Sequence, residues 1–380
     1  MQPLVTPERA HLTAEQVAAL IQDAPALTLS AGLEVIDLAT LTVIEDISGD
    51  LRGGSITRNS YADLHASASL RITRQLNWGA DIVRPYYVMS DGEITARFNL
   101  GAYHLNTPAN PLIEQPPTFD VTGYDMLLRL HQPVGDAYSI PKGANYLAEI
   151  ETILTSRGYG QYVIDQSRAA TVSPSARAWA FDDQITWLRI LNDLLAAIGY
   201  AGAWADWDGR IRCQPYIRPV EREAEWYYSD NRYTTMLGVE REIQYDFFDA
   251  PNRWVIYRTN MGETETPVDG NGRFEYVNQA VGDTSVEARN GLVIPRVVGV
   301  DAADQAALIA QAEIMIQADL DIPTIIAVKT APNPLHWHFD RMHLQDGTAI
   351  PAADVQCTQW ALQLPPSTEK MDHSWTVVSR

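Results

Sequence analysis

Runs of five to eight β-branched and aromatic residues recur about every ten positions between residues 27 and 104, with Gly, Pro, Asn or Asp between them. They predict a mainly β protein with α+β insertions: two antiparallel β-barrel-like domains plus smaller α/β modules. Two further observations place the insertions. Apolar residues fall at helical spacing over 147–154, 185–198 and 302–319, and strand-like patterning resumes from Tyr227.

Length and composition agree with several packed units. A chain of 380 residues is long for one core, so two to four domains are expected. Hydrophobic residues make up 46% and charged residues 20%, the balance of a globular chain rather than a disordered one. Lys plus Arg number 28 against 48 Asp plus Glu, a net charge of −20. So acidic a chain lacks the clustered positive charge that grips a nucleic-acid backbone. It suits a channel through which DNA slides without sticking, and a merely solvated acidic surface is the plainer alternative. Cys213 and Cys357 are the only cysteines, which excludes a disulfide scaffold and a Cys/His zinc spacing and predicts two buried free thiols. No apolar run reaches the roughly 20 residues of a membrane span. The polar start MQPLVTPERAHLTAEQ has no signal-peptide core, so synthesis in a cytoplasm without export is expected.

In chain order, residues 1–26 read as an arm and a short helix, with Thr13-Ala14-Glu15-Gln16 as a capping box. Residues 27–125 read as the first barrel-like domain, with strands expected over 26–30, 34–38, 41–46, 54–59, 66–72, 83–89, 93–104 and within 116–125. Residues 126–219 read as an α/β module: a helix over 145–156 stopped by Gly158, a strand over 162–165, then the long stretch 181–216. There Ile185, Leu188, Ile190, Leu191, Leu194, Leu195 and Ile198 form one helical face, with Arg189, Asn192 and Asp193 toward water. Asp182 or Asp183 is the expected cap and Gly199 the stop. Strands over 200–204 and 210–216 then flank an Asp206-Trp207-Asp208-Gly209 turn. Residues 220–300 begin a second barrel-like domain, with strands over 236–243 and 252–258 and a turn at Asp269-Gly270-Asn271-Gly272. Residues 301–380 supply a helix over 302–319, capped by Asp301 and ended near Pro323, and strands over 324–330, 336–344, 355–363 and 374–379.

Motifs in these segments resemble, in the same order, those of phage tail-tip and baseplate hub proteins, which are related to the spike hubs of contractile injection systems. They are Arg84-Pro85-Tyr86, Leu100-Gly101-Ala102-Tyr103, Gly123-Tyr124-Asp125, and the helix ending Ala197-Ile198-Gly199-Tyr200 before a hairpin that closes on Pro215-Tyr216. Asn252-Arg253 and the step Thr330-Ala331-Pro332-Asn333-Pro334 continue the series, so the resemblance covers most of residues 28–380. It implies a tail-hub architecture and a homotrimeric ring whose subunits each supply two similar barrels. Six such modules would face a hexameric tail tube. The implied partners are further copies of the chain, the distal tail or tail-tube protein, tip, spike or fibre proteins, and DNA that passes without specific binding. The implied location is the virion tail tip. Family members often add a peptidase, lysozyme or fibre region after the hub, and because this chain stops soon after its last hub-like strands, lytic activity is not carried over. The alternative is a carbohydrate- or receptor-binding β protein of the tail tip.

Nothing reads as a catalytic centre, and no catalytic, cofactor-binding or metal residue is assigned. His336-Trp337-His338, with Asp340 and His343, is the one histidine cluster. On a strand, His336 and His338 would share a face as two metal ligands do, but no third ligand is identifiable and a packing or rim role competes. Asp206-x-Asp208-Gly209 and Asp269-Gly270-Asn271-Gly272 begin like calcium loops yet lack the further oxygen ligands, which favours turns. Glu149 with Glu151, and Glu263 with Glu265, have no glycosidase context. Nucleophile-elbow, P-loop and dinucleotide fingerprints are all missing. Trp204, Trp207, Trp226, Tyr227, Tyr228 and Trp254 suit a core, a subunit interface or, less directly, a sugar-binding face.

Overall fold

The computed structural model describes residues 1–24, 26–109, 117–180, 184–229, 237–245, 248–261, 266–321, 324–345, 353–365 and 371–378. Helix α1 (Ala14–Gln22) opens on the expected capping box: Thr13 Oγ1 accepts from the Gln16 N–H, and Gln16 Oε1 accepts from the Thr13 N–H. Strands β1 (Thr28–Ile36), β2 (Val43–Asp46), β3 (Leu51–Asn59), β4 (Ala66–Ile72), β5 (Ile82–Ser90), β6 (Thr95–Asn99), β7 (Tyr103–Leu105) and β8 (Phe119–Asp125) follow. The two strands expected at 26–30 and 34–38 are one, because Ala31, Gly32 and Leu33 keep the ladder against Tyr87, Tyr86 and Pro85 of β5. The single strand expected over 93–104 is two, because Gly101 takes a φ of +93° and turns the chain between them.

Next come β9 (Tyr138–Ile140), α2 (Tyr146–Ser156), β10 (Tyr162–Ile164), β11 (Arg177–Trp179), α3 (Trp187–Ala197), β12 (Trp204–Ala205) and β13 (Ile211–Cys213). Asn145 caps α2 by accepting from the Ala148 N–H. The cap of α3 is Thr186, which accepts from the Arg189 N–H; Asp182 and Asp183 lie outside the described residues. All seven apolar positions expected on α3 are buried, each worth about 1.5–3 kcal/mol of burial. Arg189 is exposed, whereas Asn192 and Asp193 are half-buried and bonded within the fold. The stop is Gly199, at φ +77°.

The remaining elements are β14 (Trp226–Ser229), β15 (Leu237–Tyr245), β16 (Arg253–Arg258), β17 (Val268–Asp269), β18 (Gly272–Val277), β19 (Pro295–Val300), α4 (Gln305–Asp321), β20 (Thr324–Thr330), β21 (Arg341–Gln345), β22 (Ala353–Leu364) and β23 (Met371–Val377). Asp304 rather than Asp301 caps α4, accepting from the Ala307 N–H at 2.7 Å, while Asp301 accepts from the Thr259 hydroxyl. The expected helix end at Pro323 and the outer positions Met236 and Ser379 lie outside the described residues.

Hydrogen bonding joins the first and last strands into one sheet, ordered β15-β20-β23-β22-β3-β4-β8-β7-β5-β1-β2, with β6 on β5, and with β21 between β22 and β14. The join is the antiparallel β22–β3 ladder, where Leu362 faces Ile56 across more than 300 positions of chain. A second sheet, β17-β18-β16-β19, is covered on one face by α4, where Trp254 and Ile256 pack against Ala307, Leu308, Ala312 and Ile316. Between these sheets, α2 and α3 share a core with the small β10-β13-β12 sheet. The molecule is thus mainly β with α+β insertions, as the patterning predicts.

Candidate functional site

The Asp-Gly hairpin between β12 and β13 is the point where the parts of the molecule meet. Buried Asp206 accepts from the Asp208 and Arg210 N–H groups at 3.0 and 2.9 Å and from Arg212 Nε at 2.8 Å. Its carboxylate therefore closes a turn rather than a calcium shell. Burial pushes its pKa up, and the Arg212 guanidinium works against that push. Asp208 accepts from Asn99 Nδ2 at 2.8 Å, and the Gly101 N–H donates to the Trp207 carbonyl at 2.9 Å. The hairpin is so docked onto the end of β6 that Gly209, at φ +97°, would place a Cβ 2.6 Å from that of Ala102.

The other motif residues brace the large sheet. Arg84 donates through Nε and Nη2 to buried Glu34 at 3.1 and 3.0 Å, and Tyr86 Oη meets Ser48 Oγ at 2.9 Å. The Tyr103 hydroxyl donates to the Leu100 carbonyl at 2.7 Å. Asp125 accepts from the Ala66 and Leu127 N–H groups at 3.0 and 3.1 Å. Burial raises the Asp125 pKa to about 6, with Arg58 pulling the other way. In each case the polar group satisfies backbone or a buried partner that the fold would otherwise strand.

Residues 336–340 form a loop rather than the start of a strand, so His336 and His338 do not share a face. The cause is Asp340, whose buried carboxylate accepts from the Trp337 N–H at 2.6 Å and meets His336 Nδ1 at 2.9 Å, bending the chain. His336 Nε2 lies 2.6 Å from the Tyr228 hydroxyl. His338 points elsewhere: its Nδ1 is 3.1 Å from Arg58 Nη2 and its ring stacks on Trp204 at 5.1 Å. His343, on β21, pairs with Asp354 at 2.9 Å. Among the described residues no three His, Cys, Asp or Glu side chains converge to hold a metal. Burial holds the His338 and His373 imidazoles well below their ordinary pKa. For Asp340 burial alone would raise the pKa, but the Met1 amino group and His336 keep it below the usual carboxylate range.

Between the hairpin, the turn after β3, α4 and the 337–339 loop lies a cavity of about 550 Å³. Trp204, Trp207, Trp337 and Phe339 line it, with Asn192 and Arg212 among the polar groups. Arg212 lies over the Trp204 and Trp207 rings at 5.8 and 5.3 Å, and the Trp337 Nε1–H donates to the Ala205 carbonyl at 2.8 Å. The sequence signals for this cavity are the aromatics of the hairpin and of the histidine cluster; that they face one another across more than a hundred residues has no local signature.

Other candidates stay apart. Glu149 and Glu151 each accept a tyrosine hydroxyl, from Tyr138 and Tyr162, on opposite sides of α2. Asp269-Gly270-Asn271-Gly272 is a turn in which Asp269 pairs with Arg273. Glu263 and Glu265 lie outside the described residues. Cys213 and Cys357 are free and buried. Trp204, Trp207, Trp226, Tyr228 and Trp254 are core residues, and Tyr227 alone of the six is exposed, at 62%.

No family model matches the chain, and no curated protein matches it in sequence. Solved structures do match its shape. The tail protein from Neisseria meningitidis superposes with a TM-score of 0.63 at 12% identity, over 92% of this chain and 96% of that one. The prophage MuSo2 43 kDa tail protein from Shewanella oneidensis gives 0.60 at 12% identity, over 93% and 99%. A chain of the Francisella PdpA–VgrG complex gives 0.54 at 10% identity, over 97% of this chain and 61% of that one. At such identities the likeness is one of fold, and nearly the whole chain takes part in it. The chain carries the phage tail-protein fold, the one its ordered motifs resemble.

Proposed function

We propose that the chain is a structural hub at the distal end of a phage or phage-like tail, a ring that joins a hexameric tube to trimeric tip or spike components. The observation that carries this reading is end-to-end similarity of fold to two tail proteins, with 96% and 99% of those chains covered. A non-catalytic role is supported by the motif residues Arg84, Tyr86, Tyr103 and Asp125, whose polar groups are spent on bracing the fold. In this reading the domains are an arm (1–26), a first barrel-like domain (27–125), an α/β module (126–219), the first part of a second barrel-like domain (220–300), and a long helix and closing strands (301–380).

A homotrimer is supported by the outer edge of β2, which pairs with no further strand among the described residues. All four residues of β2, at one end of the large sheet, are exposed, with Val43 and Ile44 at 47% and 65%. Unpaired edges with apolar side chains invite another chain, and a three-fold ring uses such head-to-tail contacts. The net charge of −20 supports a lumen that repels DNA rather than capturing it. Light scattering behind a sizing column, over a range of concentrations, tests the ring. A trimer, or a monomer that trimerises with concentration, is expected; a monomer alone and in the presence of tail-tube protein would overturn it.

A further inference from the structure

We propose that the open edge of β2 in one copy of the chain pairs, antiparallel, with the open edge of β19 in the next copy, Ile44 opposite Val297. The inference rests on the ring proposed above and names its contact. Among the described residues β2 pairs only with β1, and β19 only with β16. Val43, Ile44 and Val297 are left in solvent on these edges, at 47%, 65% and 63% exposure. The main chain is free there as well. The Arg253 and Thr259 N–H groups donate to the Ile294 and Val300 carbonyls. Alternate residues of a strand aim their main-chain groups to the same side, so Val297 and Gly299 direct theirs away from β16. On β2 the register against β1 passes from Val35 with Glu45 to Ile36 with Val43 and skips Ile44, the extra residue of a bulge. Unpaired N–H and C=O groups along an edge are a template for a further strand.

Charge selects the occupant. β2 ends on Glu45 and Asp46, so β2 against β2 would set carboxylates beside one another. β19 against β19 would give Arg296 no carboxylate from either strand, and Pro295 has no N–H to offer. The mixed pair has neither fault. With Ile44 opposite Val297 in an antiparallel ladder, Glu45 falls opposite Arg296 and Val43 opposite Val298. A parallel ladder through the same apolar pair would put Glu45 opposite Val298 instead. Within its own chain Glu45 pairs with Arg74 at 2.7 Å and Arg296 pairs with Asp319, yet their side chains stay 48% and 44% exposed. Across the join the four charges alternate in sign, Arg74, Glu45, Arg296, Asp319. Because β2 and β19 are different surfaces, the contact is head-to-tail, the kind that closes a ring.

The test is disulfide trapping with copper phenanthroline, mixing full-length Ile44→Cys with full-length Val297→Cys and reading non-reducing gels. Directly opposed Cα atoms lie about 4.5–5.5 Å apart, within reach of a disulfide. Cys213 and Cys357 are buried, so the wild type run alongside gives the background. The mixture should form a covalent dimer at least about tenfold faster than either variant alone. Val268→Cys, 53% exposed on the opposite edge of the small sheet, should not replace Val297→Cys. Glu45→Cys should trap Val297→Cys more slowly than Ile44→Cys does, because one step along a strand turns the side chain to the other face. The chain carrying both Ile44→Cys and Val297→Cys should end as a covalent trimer. Dimers of Ile44→Cys alone at the rate of the mixture, equal trapping by Val268→Cys, or no trapping would each overturn the pairing. Light scattering separates this contact from the ring itself. A trimer that does not trap overturns the pairing and leaves the ring; trapping that runs past the trimer keeps the pairing and overturns the ring.

Discussion

Gly209→Ala should be among the costly single-methyl additions to this protein, and the structure allows its cost to be divided. Gly209 sits at φ +97° with a projected Cβ 2.6 Å from Ala102 Cβ, at the docking of the hairpin on β6. Gly92, in a surface hairpin, has nearly the same φ of +98° and nothing within 4 Å of a projected Cβ. A left-handed backbone costs an L residue about 1–2 kcal/mol, which Gly92→Ala should show alone. Relieving the Ala102 contact adds about 1–3 kcal/mol, for a total of about 2–5 kcal/mol in Gly209→Ala. The smaller entropy of the unfolded alanine chain returns about 0.4–1 kcal/mol to both variants and cancels in the comparison. Urea unfolding followed by circular dichroism measures the difference. Hydrogen exchange of the Gly101 amide, which donates to the Trp207 carbonyl at 2.9 Å, should lose at least about tenfold in protection only in Gly209→Ala. Equal losses in the two variants would refute the claim that close approach, and not φ, requires this glycine.

Acid should weaken the fold well above the range where carboxylates titrate. Burial, with help from Arg58 and Arg129, pushes the imidazoles of half-buried His65 and buried His104 down to about 3 and about 4. Both are neutral in the folded protein and protonate first in the unfolded chain, so their stability is complete above about pH 6.5 and is lost as pH falls, by about 2 kcal/mol each at pH 5. Asp125 opposes this, because its pKa of about 6 lets the folded state take up a proton first, returning about 1 kcal/mol by pH 5. The urea midpoint should therefore drop between pH 7 and 5, and His104→Gln should shallow the drop; a midpoint constant over that interval would contradict the assignment. Burial also pushes the Cys213 thiol up to about 12 and raises that of Cys357. Neither should react with an aromatic disulfide reagent at pH 8 until urea is added, and rapid labelling of the native protein would contradict their burial.

Much of this molecule was legible from local pattern. Helix α3 follows from the spacing of its apolar face and the Gly199 stop, since helical period and left-handed termination depend on a few adjacent residues. The same holds for β4 and β20, which begin and end where their residues predict, and for the turn nature of Asp206-x-Asp208-Gly209, whose carboxylate bonds its own backbone. Caps were harder to place. Asp301 and Asp304 are equally suited by type, and tertiary partners decide between them: Thr259 and Arg177 engage Asp301, leaving Asp304 to serve α4. Beyond that range the chain was silent. His336 and His338 alternate as strand residues would, yet Asp340 captures the Trp337 N–H and sends the two rings to different partners, Tyr228 and Trp204. The β3–β22 join and the cavity between Trp207 and Trp337 likewise arise from residues far apart in the chain. Period and turn chemistry are properties of neighbours and are written in order along the sequence. Which strand edge finds which, and what space is left between the packed layers, depends on shape and burial summed over the whole chain, and only the tertiary structure decided it.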